Sequence, residues 1–180
     1  MANTFSINTQ GVTWAADKNM LALQNHTGSG VVLSVFRIWL FNPQTSALTA
    51  STCKIQLWSY TSVSSFTGGS AQTFVKHDTN YSNLPSQVSA NSGTTTVLTK
   101  NVLLRQIIRH AEEAAVGTGG KGELETGFPP LNMIWDSGYS DSVLQPLTLR
   151  EGQGLVLYTP SSGGGTYQGS TDICVEFTSA

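Results

Sequence analysis

Charge is scarce in this chain. Asp, Glu, Lys and Arg make up 11% of its 180 residues, against roughly a quarter in ordinary globular proteins. Nine basic and eleven acidic residues leave a net charge of −2. Lys and Arg never cluster, so nucleic acid and anionic membranes are poor partners. No apolar run approaches the roughly 18 residues that a membrane-spanning helix needs. The opening residues, Met1-Ala2-Asn3-Thr4-Phe5-Ser6, lack the basic region and apolar stretch of a secretory signal, so synthesis in the cytoplasm is expected. Cysteine is nearly absent too. Cys53 and Cys174 each interrupt a strand-like pattern, and in a cytosolic setting they are expected to be buried free thiols. Without export, the sequons Asn25-His26-Thr27 and Asn80-Tyr81-Ser82 carry no weight.

Ser, Thr, Asn and Gly fill the place of charge. Hydrophobic residues stand at 39%, near the globular range, and low charge combined with that value is the opposite of a disordered composition. The length suits one domain spanning residues 1–180, long enough to bury a two-layer core. A surface of hydroxyls and amides opposes association less than a charged one does, which favours assembly.

Short alternating runs follow one another along the chain. Phe5 and Ile7 alternate until Gly11, and Leu21 and Leu23 share a face within Met20 to Gln24. After a turn-rich gap from Asn25 to Gly30 comes the most apolar run, Val31 to Phe41. Val31, Leu33, Val35, Trp39 and Phe41 are expected on one face, and Val32, Phe36, Ile38 and Leu40 on the other. Its β-branched and aromatic content, bracketed by Gly30 and Pro43, predicts a central strand rather than a helix. Arg37, alone inside it, needs a partner or an edge. Cys53, Ile55 and Leu57 alternate with Thr52, Lys54, Gln56 and Trp58 as a half-buried strand does.

Residues 61–72 read as a loop, 73–76 as a short strand and 78–93 as a polar surface excursion. Thr94 to Leu98 alternates again. Val102 to Ala115 fits a helix or a bulged strand, with strand preferred and Glu112 to Gly122 left as loop. Leu131, Met133 and Trp135 alternate. Leu147 and Leu149, a turn over Glu151 to Gly154 and the two-faced apolar run Leu155 to Thr159 predict a β-hairpin whose second strand is covered on both sides. Ile173, Val175 and Phe177 oppose Asp172, Cys174, Glu176 and Thr178 in a final strand. Eight or nine short strands with Gly-rich turns and no secure helix predict an all-β fold, an antiparallel β-sandwich of jelly-roll type. Residues 1–19 can be an N-terminal arm.

Three phrases carry a resemblance: Asn25-His26-Thr27-Gly28-Ser29 before the long Val/Phe/Trp strand; Lys76-His77-Asp78-Thr79-Asn80; and Ile134-Trp135-Asp136-Ser137-Gly138-Tyr139 leading to Pro146-Leu147-Thr148-Leu149-Arg150-Glu151-Gly152-Gln153-Gly154. From about Met20 to the end, the texture resembles the jelly-roll decoration (cement) proteins that cap tailed-bacteriophage heads. The resemblance implies a homotrimer on the outer surface of the virion, bridging neighbouring copies of the major capsid protein. It fixes no contact residue.

Catalytic and ligand-binding patterns are thin. Gly117-Thr118-Gly119-Gly120-Lys121-Gly122 is not a phosphate loop, because Ala115 stands where the first Gly belongs and Gly122 where Ser or Thr belongs. Gly152-Gln153-Gly154 opens a strand and reads as a turn. Gly138-Tyr139-Ser140-Asp141-Ser142 lacks the last Gly of a nucleophile elbow. His26, His77 and His110 lie in separate segments, with nothing to position them as bases. Asp136 and Asp141 flank a Gly-containing turn, and His77 adjoins Asp78; both fit Asx-type turns better than calcium ligation. No spacing fits zinc. The expectation is a protein with no catalytic residues, no metal and no cofactor.

Exposed aromatics mark contact hot spots and sugar-stacking platforms. Trp39 and Trp58 read as core. Trp14, Trp135, Asp136, Tyr139, Asp141 and Tyr167, beside turns or in Gly/Ser-rich stretches, are the candidate interface or ligand contacts. An alternative function on the same residues is a carbohydrate-binding or receptor-binding module of a phage fibre or head appendage.

Overall fold

A computed structural model describes residues 3–41, 51–111, 131–137, 145–161 and 169–180. Expectations for 112–122, including the glycine-rich 117–122, and for Tyr139, Asp141 and Tyr167 lie outside the described residues.

The described chain is all-β, and it forms two antiparallel sheets of six strands. The strands are β1 (Asn3–Thr13), β2 (Lys18–Asn25), β3 (Leu33–Phe41), β4 (Ser51–Thr61), β5 (Ser70–Ala71), β6 (Val75–Lys76), β7 (Val88–Ser92), β8 (Lys100–Ala111), β9 (Leu131–Asp136), β10 (Leu147–Leu149), β11 (Gln153–Thr159) and β12 (Ser170–Ser179). The sequence suggested eight or nine. The strands it did not foresee are β5, two residues long and too short to show a period, and β7, which lies in a stretch expected to be surface excursion.

The first sheet runs β10-β3-β12-β1-β6, with β9 also paired to β3; the second runs β5-β7-β2-β11-β4-β8. Among the longer strands, β1 pairs β12, β2 pairs β11, β3 pairs β9 and β4 pairs β8. These pairs are nested from the two ends of the chain toward its middle. Two further ladders, β12 with β3 and β11 with β4, join them side by side into the two sheets.

The core lies between the sheets. Phe5, Ile7, Leu33, Val35, Ile38, Leu40, Ile173, Val175 and Phe177 come from one side, and Leu21, Leu23, Cys53, Ile55, Leu57, Leu155 and Leu157 from the other, all buried. Phe5 stacks on Phe177 at 5.7 Å between centroids, and Phe74 meets Phe177 edge-on at 5.8 Å. Burying each such side chain contributes about 1.5–3 kcal/mol. Between Leu21, Ile38, Leu57 and Val175 the sheets leave a space of only about 10 Å³, no more than one water's worth.

Several local expectations need correction. The face assignment of the long apolar run fails midway. Leu33 and Val35 point inward, but so do Ile38 and Leu40, while Trp39 and Phe41 are only half buried. A register shift lies between Glu176/Phe177 of β12 and Arg37/Val35 of β3. One extra residue there reverses the phase of everything after it. In β9 the fully buried side chain is Ile134, with Met133 and Trp135 half buried, the reverse of the expected face.

The hairpin is an arch. Leu147–Leu149 pairs β3 in the first sheet, whereas Gln153–Thr159 pairs β2 and β4 in the second. The tight turn exists, with Gln153 N–H donating to the Arg150 carbonyl at 3.2 Å, yet it carries the chain between layers. Residues 88–92, expected within a surface excursion, form β7 against β2, with Val88 and Ala90 buried. Thr94 to Leu98 is not a strand. Residues 3–13 are no free arm. They run as β1 between β12 and β6, and Gly11 sits at a bulge with φ +63° rather than ending the strand.

Candidate functional site

Of the candidate contacts, Trp14, Trp135 and Asp136 lie within the described residues, and none of them is an exposed side chain. Trp14 is 4% exposed and belongs to the core. It lies just after β1, where its N–H donates to the Gly169 carbonyl at 3.0 Å. Trp135 is half buried and packs on the core from β9. Asp136 is 7% exposed and ion-paired. The register places it opposite Arg37 on β3, which in turn faces Glu176 on β12. Arg37 Nε lies 3.5 Å from Asp136 Oδ2, and its Nη1 lies 3.3 Å from Glu176 Oε2. The guanidinium also sits over Phe36 and Trp39, at 5.7 and 5.6 Å from their centroids. This row of three charges across three strands answers the sequence's question about Arg37. It fixes strand register, as cross-strand charge pairs do.

The other motifs resolve into turns. Asp78 Oδ1 accepts the Asn80 N–H at 2.9 Å, an Asx turn. His26 Nδ1 contacts the neighbouring Thr27 carbonyl, and His77 is exposed. Among the described residues no three His, Cys, Asp or Glu side chains converge as metal ligands. Cys53 and Cys174 are free thiols, Cys53 buried as expected but Cys174 only half buried. Burial, with Glu176 nearby, pushes the Cys174 thiol up to about 11, so the nucleophilic thiolate is rare at neutral pH.

Two carboxylates that the sequence did not single out act as clamps. Glu151 accepts the backbone N–H groups of Gly28 at 3.0 Å and Gly30 at 2.8 Å, tying the β2–β3 connection to the arch. Those two bonds hold its carboxyl below the usual range. Asp17, in left-handed backbone at φ 52°, accepts the Tyr158 hydroxyl at 2.7 Å and the Ser161 N–H at 2.8 Å. Its carboxyl is lowered by the Tyr158 bond first and the Ser161 bond next. No local pattern reveals either clamp, because the partners are more than a hundred residues away.

The outer face of the second sheet has two zones. In one, Ala22, Tyr60, Leu98 and Val156 make a small separate core, with Trp58, Val63 and Phe66 packed against it. Tyr60 lies flat over Gly154, where a Cβ would come within 2.3 Å of its ring. In the other, Trp58 Nε1 donates to Gln56 Oε1 at 2.9 Å, and Gln56 Nε2 donates to Gln106 Oε1 at 2.7 Å. Lys100 Nζ stands 3.7 Å from the Tyr158 ring centroid.

The least satisfied surface is β8. Among the described residues it is the last strand of its sheet, paired only to β4. It carries Val102, Leu103 and Ile108 at 56, 40 and 55% exposure. Beside it a cavity of about 140 Å³ lies between the two sheets, walled by Leu104 and Asn101 of β8, Leu147 and Thr148 of β10, and Leu155 and Gln153 of β11. The sequence showed the apolar residues of β8 but could not tell that this strand ends a sheet. No protein-family model, curated protein or solved structure matches the chain.

Proposed function

We propose that the protein is a docking component of a phage virion, a decoration protein that trimerises on the outer shell and bridges major capsid subunits. The nested strand order is the observation that carries this reading. Pairing β1 with β12, β2 with β11, β3 with β9 and β4 with β8 is the order of a chain folded back on itself and rolled into two layers. That order supports a jelly-roll reading, an architecture that viral capsid domains use. Low charge and the exposed apolar strand β8 support a surface used for assembly. A trimer multiplies weak contacts, since one attached subunit raises the effective concentration of the next. The test is co-sedimentation with phage shells, where binding in threes is expected. A stable monomer that binds no shell overturns the reading.

One observation favours a second reading, a carbohydrate-binding module. The Trp58–Gln56–Gln106 hydrogen-bond chain beside Tyr158 sets amides and aromatics side by side on a sheet face, the pairing that sugars use. A glycan array on the native protein separates the two, because a decoration protein gives no selective signal there.

A further inference from the structure

We propose that β8 is a strand-addition site: an extended segment of a partner protein, alternating acidic and apolar residues, pairs along the edge that no described strand covers and seats one apolar side chain in the adjoining cavity. This does not depend on the decoration reading, since it requires only a protein partner that presents such a segment.

The sheet edges differ in kind. On the far side of the sandwich they end in β5 and β6, each two residues long, too short to template another chain. The β3 side of the first sheet is divided between β9 and β10. β8 is twelve residues long and, among the described residues, carries no strand beyond it. An unpaired edge of that length presents a row of N–H and C=O groups that an added strand satisfies, with pockets for alternate side chains supplying specificity. The cavity is such a pocket. At about 140 Å³ it approaches the roughly 150 Å³ engineered cavity that accepts benzene, so a Leu or Phe side chain suits it. Leu104, Leu147 and Leu155 give it apolar walls, while Asn101, Thr148 and Gln153 supply polar ones.

Charge selects the partner. Between Lys100 and Ala111 the sequence holds Lys100, Arg105 and Arg109 and no Asp or Glu. Arg105 is exposed although it lies opposite the buried Leu57. Register shifts interrupt the ladder near Leu104 and Asn101. Such bulges are a device that stops an edge from pairing with its own kind. Two β8 strands brought together would also set cation against cation. An acidic segment meets no such opposition, and like-charge rejection is how specificity is commonly built.

The test uses the full chain and three labelled peptides: one alternating Glu with Leu around a central Phe, its Lys-for-Glu counterpart, and the acidic peptide N-methylated at alternate backbone nitrogens. Fluorescence anisotropy reads affinity, and hydrogen exchange reads protection of residues 100–111. The acidic peptide should bind and slow exchange along β8, with the Lys and N-methylated versions at least roughly tenfold weaker. Arg105→Glu, at an exposed site, should weaken the acidic peptide by about tenfold. Thr148→Trp, filling the cavity from its wall, should weaken the acidic peptide by about tenfold. Equal binding of all three peptides, binding without protection of β8, or no binding at all overturns the proposal. So does sedimentation showing that the chain self-associates through β8 and thereby excludes the acidic peptide.

Discussion

Glu151 shows how a single side chain far along the sequence can set a loop. Its carboxylate holds the N–H groups of Gly28 and Gly30, and these bonds favour the ionised form, so its folded pKa lies below the unfolded value. The contribution to stability is therefore complete above the unfolded value of about 4.3 and is lost as pH falls through the lowered folded one. Glu151→Gln should lower the urea midpoint at neutral pH, and the gap from the parent protein should close as pH falls through the lowered folded value. A gap that stays constant with pH would contradict the clamp. Gly154 and Tyr60 give the second test at this scale. The Tyr60 ring occupies the place of a Gly154 side chain, and its buried hydroxyl has no hydrogen-bond partner among the described residues. Gly154→Ala is expected to destabilise by roughly 1–3 kcal/mol, whereas Tyr60→Phe should be neutral or stabilising by up to about 1 kcal/mol. Thermal or urea denaturation of both variants decides it.

At the scale of elements, alternation was a sound guide in β4 and β12 but misled elsewhere: Thr94 to Leu98 alternates without forming a strand, and β9 buries Ile134 rather than Met133 and Trp135. In β12 the inward set Ile173, Val175 and Phe177 is the one the pattern predicts, and so is Cys53, Ile55 and Leu57 in β4. A bulge removes that legibility. The extra residue in β3 sends Ile38 and Leu40 inward and leaves Trp39 half buried, and no composition rule marks where such a residue falls. Leu147 to Thr159 failed differently. Turn chemistry specifies a reversal of direction but not whether the two arms pair with each other or with separate sheets. Of the candidate contacts, Asp136 belongs to a register-fixing row with Arg37 and Glu176, which only the pairing of three distant strands reveals. Trp14 is core because residues 3–13 carry it into a sheet. Position within a sheet should also set mutational cost. Leu57→Ala, in an interior strand and fully buried, should cost about 2–5 kcal/mol, while Val102→Ala on the exposed β8 should change stability by less than about 0.5 kcal/mol. Comparable losses from the two would mean that β8 is covered in the free protein.

For the whole molecule, among the described residues the Trp58–Gln56–Gln106 face and the exposed apolar residues of β8 lie on the outside. The proposed decoration role relies on repetition, because a trimer of so lightly charged a chain would gain affinity from several weak contacts together. Sedimentation equilibrium of the purified chain, with and without phage shells, is the most direct measurement. A species near three times 19.2 kDa that moves to the shell fraction is expected, and a monomer that stays in the supernatant at every concentration would contradict it.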